Sequence, residues 1–221
     1  YQRSAEKASQ DLLPLEQGIE KLKTFDGLKF AQSVELICSL GIDPKQADQA
    51  VRGSLSLPNG VGKTKRVIAF VPEHLQSVAL EAGAIKAGGQ ELVQEVESTN
   101  FTDFDVAIAT PDMMRFVGRL GKVLGPKGLM PSPKAGTVTP DVGAAVKEYV
   151  AGKIEFRNDT GGNIHSLVGK MSFSTEHLAE NITTMLNQLR KMKPQSSKGV
   201  FFKKIVIKGT MTPAVYLAIQ A

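Results

Sequence analysis

The chain has 221 residues, of which 42% are hydrophobic and 22% are charged, and its formal net charge is +5. This composition is typical of a globular protein and is unlike that of a disordered or fibrous chain. The apolar runs are short and interrupted, so we expect no membrane-spanning helix, and residues 1–10 lack the apolar centre of a secretory signal. The single cysteine, Cys38, excludes an internal disulfide and fits a reducing compartment.

The first third of the chain predicts a helix followed by strands of alternating polarity. In residues 14–25, leucine and isoleucine recur at helical spacing. Residues 33–42 alternate as in a half-buried strand, which favours a buried Cys38 over a reactive one. A short helical turn is predicted over 44–51, and a second strand over 52–58.

The stretch LPNGVGKT, residues 57–64, ends like a phosphate-binding loop. The complete motif requires a glycine five positions before Gly62, where this chain has Leu57. A phosphate-binding loop also opens a helix, whereas residues 66–71 are a continuous apolar run that predicts a strand. The stretch therefore predicts a turn that joins two folding units, with its lysines solvated.

The middle third predicts strands that alternate with helices. This order is typical of βαβ units and a largely parallel sheet. Strands are expected at 66–71 and 104–110, and helices at 73–84, 90–98, 111–124 and 141–152.

The last third returns to alternating polarity. Residues 153–173 predict a hairpin around a turn rich in Asp, Gly and Asn, and Ser174 is placed to cap a helix over 175–193. Residues 199–211 predict the final strand. Both ends of the chain have the alternating polarity of half-buried antiparallel strands, which the middle lacks. We therefore expect one domain built from both termini and a second domain inserted between them.

Charge is divided unevenly along the chain. Residues 1–65 and 154–221 together carry +6, whereas residues 66–153 carry −1. This contrast would be expected if the terminal part bound a polyanion, but a solvated basic face would explain it equally well, so charge alone does not decide between the two.

Residues 113–140 are rich in glycine and proline and contain no acidic side chain. The segment is either a lysine-rich loop that faces RNA or a structured surface loop, and composition does not separate the two. Its five basic residues are Arg115, Arg119, Lys122, Lys127 and Lys134.

Enzymatic constellations are absent from the sequence. The histidines, His74, His165 and His177, lie in three different elements without the spacing of metal ligands. No serine-hydrolase elbow or zinc-protease motif occurs. We therefore predict no enzyme, no catalytic residue, no metal and no cofactor.

Four segments together closely resemble the bacterial-type ribosomal protein L-one family: 28–63, 121–142, 153–173 and 198–211. The most specific is GPKGLMPSPKAGTVTP, residues 125–140. The resemblance implies an α/β fold with two domains: an α+β two-layer domain formed by 1–66 and 154–221, and an inserted Rossmann-like α/β domain at 67–153.

The resemblance also implies the function. The terminal domain would bind the large-subunit ribosomal RNA of the mobile stalk next to the tRNA exit site, and the protein would assist release of deacylated tRNA. Many bacterial members also bind their own messenger RNA and repress its translation. We expect a monomer within a cytoplasmic ribosome, without membrane contact, and an organellar ribosome stays open.

The same resemblance implies a set of RNA-binding residues. They are Lys29, Phe30, Ser33, Glu35, Arg157, Asn158, Asp159, His165, Lys204, Thr210, Met211 and Thr212, with secondary RNA contacts at Lys122, Lys127 and Lys134. Lysine and arginine side chains can reach phosphates, while Phe30 and Met211 offer apolar surface to ribose or base. Hydroxyl groups can bond to the 2′-hydroxyls that distinguish RNA from DNA.

The chain departs from the family pattern at two positions. Thr212 replaces the usual glycine of a Thr-Met-Gly turn, and Thr160 replaces a common lysine. We expect Thr212 to hold RNA farther away or to reshape the turn, and Thr160 to remove one phosphate contact. Binding would then be weaker than in a typical member by about 1–3 kcal/mol if a close contact is lost, and Thr212→Gly with Thr160→Lys should tighten it. Two alternative functions stay open: a nucleotide-dependent enzyme that uses the inserted domain and Lys63, and a nonspecific basic scaffold.

Overall fold

A computed structural model describes residues 11–25 and 29–218, which form seven helices and nine strands. The helices are α1 (Leu15–Lys23), α2 (Glu73–Glu81), α3 (Gln90–Thr99), α4 (Met114–Val117), α5 (Gly121–Leu124), α6 (Val142–Val150) and α7 (Thr175–Lys191). The strands are β1 (Ser33–Leu40), β2 (Arg52–Leu55), β3 (Val67–Phe70), β4 (Lys86–Gly88), β5 (Val106–Ala109), β6 (Ile154–Arg157), β7 (Asn163–Lys170), β8 (Phe202–Gly209) and β9 (Val215–Leu217). Within the described ranges, no helix is both long and apolar enough to cross a membrane.

The chain folds into two compact units. The first unit joins the chain up to Gly62 to the chain from Ile154 onward, and the second unit is Lys63–Lys153. The junction predicted from sequence, at 66 and 67, lies four residues farther along. Because Lys63 and Lys65 thereby belong to the second unit, the first unit carries +4 and the second +1, a weaker contrast than the sequence division suggested.

The first unit has two layers, a sheet and two helices. Its main sheet is antiparallel in the order β7-β1-β8-β9, and β2 pairs with β6 in a separate two-stranded sheet. Alternate residues of β1, from Val34 to Leu40, are buried in a core with apolar residues of α1 and α7. The Ser174 hydroxyl accepts the His177 N–H at 3.2 Å, which confirms the predicted cap of α7.

Three local expectations for the first unit are wrong. The hairpin predicted over 153–173 forms its turn, where the Asp159 N–H donates to the Asn163 carbonyl at 2.8 Å, but its strands separate: β6 and β7 join different sheets beyond the bridge between Asn158 and Ile164. Residues 44–49 form successive turns rather than a helical turn. The last strand of the described chain is β9, which follows the strand predicted as final.

The second unit is doubly wound around a parallel sheet in the order β4-β3-β5. Every residue of β3 is buried: Val67 and Ala69 belong to one core, and Ile68 and Phe70 to the other. The predicted α/β class is therefore confirmed. The single helix expected over 111–124 is instead a series of short α and 3-10 segments.

Candidate nucleic-acid interface

The predicted RNA-binding residues concentrate on the face of the main sheet that points away from α1 and α7, which we call the open face. Side chains there are exposed or half-buried, except for the nearly buried Val206. The strand register places them in four rows: Ser33 with Thr210; Leu167, Glu35 and Lys208; His165, Ile37, Val206 and Tyr216; and Asn163, Ser39 and Lys204. Because alternate residues share a face, the rows are about 7 Å apart and the open face is about 20 Å long.

One end of the open face carries the largest group of the predicted RNA contacts. The Ser33 N–H donates to the Thr210 hydroxyl at 3.1 Å, which joins the start of β1 to the turn after β8. Phe30 is 49% exposed and Met211 is 57% exposed, and Lys29 is exposed next to Phe30. Two large apolar side chains in contact with solvent at one sheet end suggest a ligand-binding surface.

Thr212 does not belong to this exposed set. Its side chain is only 1% exposed, and its hydroxyl accepts the Gly209 N–H at 2.8 Å and donates to the Pro213 carbonyl at 3.1 Å. The expectation that Thr212 holds RNA at a distance is therefore wrong, because the side chain points into the protein. Its role is to shape the turn that presents Met211.

At the other end of the open face, Asp159 shapes a turn. Its carboxylate accepts the N–H groups of Asn163 at 2.7 Å and Gly161 at 2.8 Å. The backbone N–H of Asn163, then its side chain, lower the pKa of Asp159 because they stabilise the charged form. His165 Nε2 lies 3.9 Å from an Asp159 oxygen, which is near the turn but beyond hydrogen-bond distance.

Asn158 and Arg157 occupy different positions from the rest of the predicted set. Asn158 Oδ1 accepts the Val51 N–H at 2.8 Å and its amide donates to the Asp159 carbonyl at 3.0 Å, so both ends of the side chain serve the fold. Arg157 lies on β6 opposite Arg52, in the two-stranded sheet. Arg157 is therefore exposed but is not part of the open face.

The open face also contains residues that the sequence prediction did not name, and two of them, Lys208 and Tyr216, carry groups that can contact RNA. Lys208 lies opposite Glu35 in the register, and the alternation of Lys204, Val206 and Lys208 could have identified it. Tyr216 lies on β9, and the ammonium of Lys204 sits 5.7 Å from its ring centroid. The apolar run from Val215 to Leu217 contains strand-favouring residues, and this was the signal that could have found β9 and Tyr216.

In the second unit, the basic segment is an ordered loop. The Tyr149 hydroxyl donates to the Ala135 carbonyl at 2.5 Å, and the Lys127 ammonium donates to the Thr102 hydroxyl at 2.6 Å. Lys122, Lys127 and Lys134 are all exposed, but Lys127 is held by this hydrogen bond. Lys122 and Lys134 are the better candidates for a secondary contact.

The stretch that resembles a phosphate-binding loop serves the fold. No helix follows Thr64, since the next element is β3. The Lys63 ammonium lies 3.8 Å from an Asp105 oxygen, and Lys65 donates to the Lys153 carbonyl at 2.6 Å. Among the residues that the structure describes, no cluster of His, Cys, Asp and Glu could hold a metal ion.

Comparison with known proteins gives a consistent result along the chain. The pattern of the family described as "Ribosomal protein L1p/L10e family" matches residues 19–213. The protein named large ribosomal subunit protein uL1 of Rhodopirellula baltica is 55% identical over 218 residues, which cover 99% of this chain and 96% of that protein. The protein of the same name from Kosmotoga olearia is 50% identical over 203 residues, which cover 92% of this chain and 87% of that protein. The one from Solibacter usitatus is 46% identical over 215 residues, which cover 97% of this chain and 91% of that protein.

Proposed function

This chain belongs to the ribosomal protein L1p/L10e family, and on that premise we propose that it is a structural constituent of the large ribosomal subunit that binds ribosomal RNA through its open face. The relatives named uL1 are bacterial proteins, which supports a place on cytoplasmic ribosomes. Family membership gives no support to the alternative of a nucleotide-dependent enzyme.

The observation that carries the proposal is the pair of exposed apolar side chains, Phe30 and Met211, beside the hydroxyls of Ser33 and Thr210. Unpaired bases and riboses pack against such apolar surfaces, and hydroxyls can bond to 2′-hydroxyl groups. Lys29 adds a cation within the same short stretch. The combination fits a folded RNA better than a bare polyanion, which would need only positive charge.

The rest of the open face supports a longer RNA contact. Lys204 and Lys208 can approach phosphates, and Glu35 can accept from a 2′-hydroxyl or a base amine, or orient Lys208 opposite it. His165 lies between the two ends of the face. Lys122 and Lys134 of the second unit would add secondary contacts.

The proposal is tested by measuring the affinity of the full chain for a fragment of large-subunit stalk RNA. Phe30→Ala and Met211→Ala should each weaken binding about tenfold, because loss of a stacked or packed contact typically costs 1–3 kcal/mol. Val200→Ala is the matched control, since Val200 is 71% exposed in the same unit but lies outside the open face. Equal affinities for all four proteins would contradict the proposal.

We further propose that RNA affinity resides in the first unit. Residues 1–66 joined to 154–221 by a short linker should fold and keep most of the affinity, whereas the isolated segment 67–153 should not.

Two further partners are proposed: the deacylated tRNA at the exit site, and the chain's own messenger RNA, which would use the same surface as the ribosomal RNA. A messenger with a stalk-like structure should compete with the ribosomal fragment for one site. Failure of an excess of that messenger to displace the fragment would rule out repression through the open face.

A further inference from the structure

The turn that presents Met211 is held from inside by two buried side chains. Gln32 is 1% exposed, and its Oε1 accepts the Met211 N–H at 3.1 Å. The Gln32 carbonyl accepts the Met171 N–H at 2.9 Å, which anchors its backbone beyond β7. From the other side, the Thr212 hydroxyl accepts the Gly209 N–H at 2.8 Å. We call Gln32, Gly209 and Thr212 the turn latch.

The two side chains of the turn latch meet at Gly209. A Cβ atom at Gly209 would lie 3.0 Å from the Thr212 methyl carbon and 3.2 Å from Gln32 Oε1. Glycine at this position lets both polar side chains approach the backbone closely. The contacts fix the turn backbone on both sides of Met211, so the direction of the Met211 side chain depends on them.

Gln32 contributes this contact at a cost to stability. Its Nε2 is buried and has no hydrogen-bond partner among the described residues. An unpaired buried donor typically destabilises a fold by about as much as one good hydrogen bond stabilises it, or more. A methionine of similar size would avoid the unpaired donor but would lose the hydrogen bond to the Met211 N–H, so the two effects on stability oppose each other.

We propose that Gln32 is a positioning residue for RNA recognition, which acts by holding the Met211 backbone so that Met211 and Thr210 face the RNA. The inference rests on the proposed function, and it adds a residue that RNA cannot reach directly. It predicts that stability and binding respond in opposite ways when the Gln32 amide is removed.

The decisive variant is Gln32→Met. We expect its unfolding midpoint to be unchanged or higher, because the unpaired donor is lost together with the hydrogen bond. Affinity for the stalk RNA fragment should fall about tenfold, as expected when one close contact is misplaced. In a Met211→Ala background the same change should weaken affinity less than it does in the wild-type background, because the Met211 side chain is already gone and only the placement of Thr210 is still lost.

Gln49→Met is the matched control. Gln49 is also buried in the first unit, at 8% exposure, and its Oε1 accepts the Asp43 N–H at 2.8 Å. Gln49→Met loses this hydrogen bond and also the one that Gln49 Nε2 donates to Gln46 Oε1 at 2.8 Å, and both lie in a loop away from the Met211 turn. Its RNA affinity should equal that of the wild type.

A second measurement, made without RNA, tests the geometry. Hydrogen exchange at the Met211 amide should be faster in Gln32→Met than in the wild type, and unchanged in Gln49→Met. Unchanged exchange, or a wild-type affinity in Gln32→Met, would overturn the inference while the proposed function stands. If the wild type itself does not prefer the stalk fragment to a hairpin of equal length, the proposed function fails as well.

Discussion

Asn181 is the residue whose replacement should most damage the first unit. It is fully buried on α7, and its amide donates to the carbonyls of Val168 at 2.8 Å and Gly60 at 3.0 Å. Its Oδ1 accepts the Asn59 N–H at 3.2 Å. One side chain therefore joins α7, β7 and the turn that resembles part of a phosphate-binding loop.

The expected cost of Asn181→Ala follows from these three hydrogen bonds. Each contributes about 1 kcal/mol net, and the carbonyl of Val168 would be left buried without this partner, so we expect a loss of about 3–5 kcal/mol. Asn187→Ala is the control on the same helix: its exposed side chain should change stability by less than about 0.5 kcal/mol.

The assay must report on the first unit alone, because a two-unit chain need not unfold in one step. Cys38 is buried in that unit, so the fraction of its thiol that reacts in a brief pulse at each urea concentration measures unfolding there. Far-ultraviolet circular dichroism gives the global transition, since the sequence has no tryptophan to follow. A loss below about 1 kcal/mol for Asn181→Ala, or one equal to that of Asn187→Ala, would refute the hydrogen-bond reasoning.

Four further predictions follow from single side chains. Thr212→Gly should weaken stalk RNA binding rather than tighten it, because the turn loses two hydrogen bonds. Thr160→Lys should tighten binding and steepen the dependence of log affinity on log salt by about one unit. A change of opposite sign for either variant in a binding titration would contradict this reasoning. Burial raises the pKa of Cys38 to about 12, so the native thiol at pH 8 should be almost inert to maleimide, with on the order of 10⁻⁴ of it ionised; rapid labelling of the native chain would show that the strand is not packed as described. The pKa of Asp159 is lower in the folded state, so its carboxylate stabilises the fold at pH values above the unfolded pKa, and this contribution is lost as pH falls through the lower folded value. The difference in free energy of unfolding between the wild type and Asp159→Ala should therefore shrink from pH 7 to pH 3. A difference that stays constant with pH would contradict this prediction.

The sequence was most informative where one local pattern decided the structure. Alternation in β1 and the continuous apolar run of β3 predicted a half-buried strand and a fully buried one, and both occur. Failures came where tertiary contacts decided the outcome. β9 is three residues long and depends on pairing with β8, and Gly118 and Gly121 interrupt a stretch whose apolar spacing looked helical.

The candidate site shows the same division. Ser33, Glu35, Lys204 and His165 could be assigned from the family resemblance, and register then placed them on one face. The inward direction of Thr212 could not be predicted, because it depends on how the chain turns after β8. Gln32 carried no signal, since its role arises from a hydrogen bond to a residue 179 positions away.

The most direct test of RNA binding through the open face is photocrosslinking of the full chain to the stalk RNA fragment, followed by identification of the modified residues. The account predicts crosslinks at the sheet end that contains Phe30 and Met211, with weaker ones at Lys122 or Lys134. Crosslinks confined to residues 63–153, with none in the first unit, would contradict it.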